Sequence, residues 1–203
     1  SDPLSIDAVF LSHLHPDHWF DMSGYYVLRK YHPSGPQPRI PVHGPRGSAQ
    51  RMAQAYGLPE QPGMTGEFDF HEYDGQGTVH VGPLEIDVTR VVHPVDAYAV
   101  RVSHRGRSLV YSGDTGPCDT LVELARGCDL LLAEASFREG EDNPADLHMT
   151  GREAAETAVR AGAHRLVLTH IPPWYDPRRA LDEARPVFDG PLDLARTGAT
   201  YDL

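Results

Sequence analysis

The chain has 203 residues, 40% of them hydrophobic and 23% charged, with a formal net charge of −11 at pH 7. That balance describes a globular chain with one substantial core, a single domain over residues 1–203, and no apolar run approaches the roughly 18 residues that cross a bilayer. So acidic a chain disfavours RNA and DNA as partners but not a small anionic substrate, because bound metal ions dominate the field inside their own pocket. The opening Ser-Asp-Pro-Leu-Ser-Ile-Asp has neither the basic start nor the apolar stretch of a secretory signal, and a cytoplasmic location is expected.

In chain order, residues 6–11 form an apolar run that reads as a buried strand and ends at Ser12-His13. Stretches at 33–41 and 59–66 are rich in Pro and Gly and read as irregular loops on either side of a helix at 48–56. Further strands are expected at 88–92 before His93-Pro94, at 109–112 before Gly113-Asp114, at 130–133 before Glu134 and at 166–169 before His170, with a helix at 121–126. Thr150-Gly-Arg-Glu153 is a capping box; Ala154, Ala155, Ala158, Val159 and Ala161 follow at helical spacing, and Gly162 is placed to end that helix. A last helix starts with Asp176 as N-cap and Pro177 at its first position, and stops at Arg185 before Pro186. Cys118 and Cys128 are too few for a disulfide scaffold and too far apart for a zinc ribbon, so they read as reduced, structural thiols.

Four potential metal ligands fall within six residues, His13, His15, Asp17 and His18. Residues two apart in an extended segment face the same way, so His13 and His15 can converge on one ion. Pro16 keeps His15 extended and stops the strand, after which Asp17 and His18 can turn toward a second ion. An isolated histidine is most often an ordinary core or surface residue, and His32, His43, His71, His80, His104 and His164 are read so; the cluster is not. His93, Asp114 and His170 stand at strand ends, where one rim of an α/β sheet gathers its site residues. Imidazoles with a few carboxylates suit zinc, manganese or iron.

This pattern resembles the metallo-β-lactamase superfamily, whose H-x-H-x-D-H signature is matched in full by His13, His15, Asp17 and His18, and the resemblance extends over nearly the whole chain. It implies an α/β four-layer αββα sandwich holding two divalent metal ions, zinc first and manganese second. His13, His15 and His93 would hold one ion, Asp17, His18 and His170 the other, with Asp114 bridging. In that family several strands precede the motif, so the N-terminal strands are expected either to lie outside this numbering, in a longer chain, or to come from a separate or exchanged segment. The family also suggests a homodimer.

The second half is similar to the ribonuclease Z branch: Leu132-Ala133-Glu134-Ala135-Ser136-Phe137 resembles its H-E-A-T-F segment, with Ala133 replacing the histidine, and His148-Met149-Thr150 resembles its H-S-T segment. Only 20 residues separate His93 from Asp114, which leaves no room for that branch's transfer-RNA-gripping arm. The layout is similar to actinobacterial ribonuclease Z-like proteins to which cyclic-nucleotide phosphodiesterase activity has been assigned. A hydrolase of cyclic nucleotides or similar small phosphodiesters is therefore the leading expectation. In it, metal-shared water attacks phosphorus, with Asp17, His148 and Glu134 as the catalytic residues. The rival readings are a transfer-RNA ribonuclease, lactonase or thioesterase on the same metals, and a non-catalytic metal- or nucleotide-binding protein.

Overall fold

A computed structural model describes residues 2–203. The chain forms two compact units, Ser1–Asp74 and Gly75–Leu203, each with its own sheet and its own buried apolar cluster.

In the first unit three parallel strands lie in the order β1 (Val9–Phe10), β2 (Ile40–Gly44), β3 (Phe68–Glu72). The register puts Val9, Val42 and Phe70 abreast, and Phe10, His43 and His71 abreast one residue further on. Because side chains alternate between faces, these are two opposite ladders. Val42, Met52, Met64 and Phe68 are almost completely buried with Tyr26 and Trp19. Two helices supply part of that cluster, α1 (Met22–Tyr31) and α2 (Ser48–Tyr56). The strand expected at 6–11 is regular only at Val9–Phe10, where it pairs with β2 alone, although the Leu11 N–H still donates to the His43 carbonyl at 2.8 Å. Pro38 and Pro41 made 33–41 read as loop, yet Ile40 and Pro41 begin a central strand. Helix α1 was hidden by Gly24 and by its run of tyrosines, both weak helix formers.

The second unit carries a seven-stranded sheet in the order β10 (Leu192–Leu194), β9 (Leu166–Thr169), β8 (Leu130–Glu134), β7 (Arg107–Tyr111), β6 (Tyr98–His104), β5 (Leu84–Arg90), β4 (Gln76–Val81). Strands β4 to β7 pair antiparallel, and β7 to β10 pair parallel. The antiparallel pairing of β6 with β7 has a local cause. Arg105 and Gly106 both have positive φ, 50° and 77°, which makes the two-residue turn that joins β6 to β7. From β7 onward each connection carries a helix: α3 (Asp119–Leu124), α4 (Gly151–Ala161) and α5 (Arg178–Ala184).

Leu131, Leu166 and Leu168 are fully buried, each contributing about 1.5–3 kcal/mol by leaving water. The buried side of α4 is nearly all alanine, Ala154, Ala155, Ala158 and Ala161, whereas Val159 of the expected stripe is half exposed. The capping box at Thr150 and Glu153 is formed, and Gly162 ends the helix with φ 65°. At α5 the N-cap is Pro177, one residue later than expected, and Asp176 Oδ1 accepts from the Arg178 N–H. Neither cysteine is in a disulfide; Cys128 is fully buried, and that burial pushes its thiol up to about 11. Both units mix strands with helices, the α/β class expected from the sequence.

Candidate metal centre

The first unit brings together the residues of the 13–18 cluster. His15 is extended (φ −70°, ψ 139°), and Pro16 begins a single 3₁₀ turn over Pro16–His18. Proline suits that first position because its missing N–H would have had no helical partner. The turn sets Asp17 and His18 beside the extended pair: the His13 and His18 rings are 4.1 Å apart at their centroids, and His18 Nε2 lies 3.3 Å from Asp17 Oδ2. His13 Nε2 and His15 Nδ1 are 3.1 Å apart. Two nitrogens each about 2.0–2.1 Å from one tetrahedral zinc would be about 3.3 Å apart, so this pair has the spacing of ligands to one ion. His13 is fully buried, with Nδ1 3.1 Å from Ser12 Oγ.

In the second unit the expected residues stand past the C-terminal ends of adjacent parallel strands. Asp114 follows β7 through Ser112 and Gly113, whose φ of 60° turns the chain in a way only glycine makes cheap. Glu134 ends β8 and His170 follows β9. His93 lies after β5 and His148 just before the α4 cap. Ligand atoms of Asp114, His148 and His170 all lie within 4.8 Å of one another. His148, expected to stand off the metal, thereby joins the group that could hold one.

Each histidine here has its Nδ1 held by the protein. His93 Nδ1 is 2.9 Å from the Leu147 carbonyl, and a carbonyl can only accept. His148 Nδ1 is 2.8 Å from Glu134 Oε1. His170 Nδ1 is 2.7 Å from Ser136 Oγ, which is also 2.7 Å from the His170 carbonyl. That hydroxyl has one proton and gives it to the carbonyl, so Nδ1–H must be the donor in the other contact. All three rings therefore carry their lone pair on Nε2, the tautomer that metal-binding histidines take when an outer acceptor holds the other nitrogen.

Two further features support this arrangement. Glu134 is fully buried, and its carboxylate also accepts from the Thr115 and Ser136 N–H groups, each at 3.0 Å. Three donors satisfy a charge that burial would otherwise make costly. His170 has φ 56°, a left-handed conformation that costs a non-glycine residue of order 1 kcal/mol or more. Both Ser136 contacts hold it there. Sequence reasoning missed Ser136 and Thr115 as supports, though each directly follows a stretch holding a named residue, Glu134 or Asp114.

The chain is similar to known proteins along most of its length. A family model described as the beta-lactamase superfamily domain matches residues 1–171. The whole chain aligns at 44% identity with 72% of an uncharacterised protein of Mycobacterium leprae. A ribonuclease Z of Myxococcus xanthus is 30% identical over 98% of the chain and 81% of its own length. The probable metallo-hydrolase YhfI of Bacillus subtilis is 27% identical over 97% of the chain and 79% of its own length. The crystal structure of YhfI superposes with a TM-score of 0.84 over 98% of this chain and 79% of that one, at 26% identity.

Proposed function

We propose that this chain, which belongs to the metallo-β-lactamase superfamily, is a metal-dependent phosphodiesterase acting on cyclic nucleotides or similar small phosphodiesters. The observation that carries this reading is the buried Glu134 holding His148 by Nδ1 beside Asp114 and His170. The donors are nitrogen and carboxylate oxygen, which suit zinc or manganese. His13, His15, Asp17 and His18 of the first unit, and His93, Asp114 and His170 of the second, are the proposed ligands. Bound divalent cations supply Lewis acidity, which acidifies water and offsets charge on phosphoryl oxygens.

The chain's own residues do the rest. Glu134 holds the His148 ring by its Nδ1–H so that Nε2 is the atom turned to the reaction; once that lone pair has taken up a proton, His148 gives it to the departing sugar oxygen. Small substrates are favoured over transfer RNA on two counts. The net charge of −11 repels a polyanion, and the segment between His93 and Asp114 is taken up by the β6–β7 hairpin, with no arm.

The test is to incubate zinc- and manganese-loaded protein with cyclic AMP, bis-p-nitrophenyl phosphate, a transfer-RNA precursor and a lactone. Hydrolysis of the first two is expected. Cleavage of the lactone alone, or of the precursor in preference to both small diesters, would refute the proposal.

A further inference from the structure

In a protein of net charge −11 that takes an anionic substrate, cationic side chains close to where the substrate lies add to the attraction of bound metal ions. Within the second unit a cavity of about 510 Å³ has His170 in its wall. Its place follows from sheet order. Strands β9 and β10 are parallel neighbours, so the residues past their C-terminal ends, His170 and Arg196, share one rim, the edge at which α/β sheets hold ligands. Arg178, at the start of α5, lines the same cavity.

Among the described residues these two guanidiniums are in no ion pair, whereas the adjacent Arg179 lies within reach of both Glu183 and Glu141. The sole acidic group in the lining is Asp176, which accepts from the Arg178 backbone N–H. Ile171, Leu181 and Leu194, all partly buried, make an apolar wall. The volume lies within the range of roughly 300–1,000 Å³ typical of small-molecule sites. A cavity with two uncommitted cations, an apolar wall and a carboxylate matches a phosphate, a flat heterocycle and a sugar hydroxyl.

We propose that this cavity is the nucleotide subsite. Arg178 and Arg196 take the phosphate, the apolar wall takes the base, and Asp176 accepts from a ribose hydroxyl. The proposal rests on the phosphodiesterase reading for the identity of the substrate.

The experiment is calorimetric titration of the zinc-loaded full chain with 5′-AMP, adenosine and inorganic phosphate, comparing wild type with Arg196→Gln and with the double variant Arg178→Gln/Arg196→Gln. Both arginines are exposed, so the variants should fold, and metal content is measured on each sample. We expect 5′-AMP affinity to fall roughly tenfold or more in the double variant, the loss of charge-assisted hydrogen bonds, with adenosine affinity little changed. A double variant that binds 5′-AMP as tightly as wild type, or a wild type that does not bind it at all, overturns the subsite. Turnover of bis-p-nitrophenyl phosphate, measured in parallel on wild type, separates the two ideas. If that turnover is present while 5′-AMP ignores the arginines, the subsite alone is lost; if it is absent, the phosphodiesterase reading fails.

Discussion

At the scale of single residues the site is defined by which ring nitrogen carries a proton. His93, His148 and His170 each give Nδ1–H to a protein oxygen, and a tautomer held this way cannot drift when solvent or substrate changes. His148 serves two readings, proton donor and ligand, and one substitution separates them. With His148→Ala we expect full metal stoichiometry by elemental analysis and turnover lower by roughly a hundredfold or more, the usual contribution of a general acid. A variant that loses metal would instead place His148 in the donor set. Much of this was readable in advance, because His13, His15, Asp17 and His18 crowd four ligating side chains into one short segment, a density that ordinary core or surface packing does not call for. The supports were not: Ser136 acts through its hydroxyl and its backbone N–H and Thr115 through its backbone N–H, and nothing in their own identity distinguishes them from ordinary strand-end residues.

Among the elements, those with a strong local signal were legible and those stabilised by their neighbours were not. Helix α4 announces itself by its capping box, its alanine periodicity and Gly162. Strand β4 does not, because it is an edge strand of largely exposed residues, Gln76-Gly-Thr-Val-His-Val, whose ladder with β5 supplies what its side chains lack. The link between α4 and α5 is equally silent in sequence. Gly151 opens α4, and a Cβ there would sit 2.3 Å from the Ala180 carbonyl oxygen and 2.9 Å from the Ala180 Cα. Those are backbone atoms that cannot swing aside, so the glycine sets how closely the two helices approach. Gly151→Ala improves helix propensity by about 1 kcal/mol yet must force the helices apart, at a cost of about 1–3 kcal/mol or more. The expected outcome is a lower thermal midpoint for the full chain. A midpoint equal to or above that of the wild type would show that α5 yields without cost.

For the molecule as a whole, two apolar clusters in one chain mean that each unit brings its own stabilising groups and its own weak points. The weak point of the first unit is the ladder Phe10, His43, His71. The His43 ring is stacked 4.6 Å from Phe10 and 4.8 Å from His71, and Asp69 Oδ2 lies 3.2 Å from His71 Nε2. Burial of His43, with the charge of His71 beside it, lowers its pKa below the ordinary 6.5, and Asp69 only partly opposes this. The folded chain therefore binds this proton less readily than the unfolded chain. Stability from a neutral His43 is complete above pH 6.5 and is lost progressively as the pH falls from there toward the lowered folded value. His43→Phe keeps an aromatic ring in the stack and removes the proton site. Urea unfolding of wild type and variant, followed at about pH 7.5 and about pH 5.5, should show the midpoint of the wild type dropping further on acidification. Every other titratable group is the same in both proteins and cancels in the comparison. Equal drops would mean that His43 is protonated as easily in the fold as out of it, and that the acid sensitivity of the first unit comes from elsewhere.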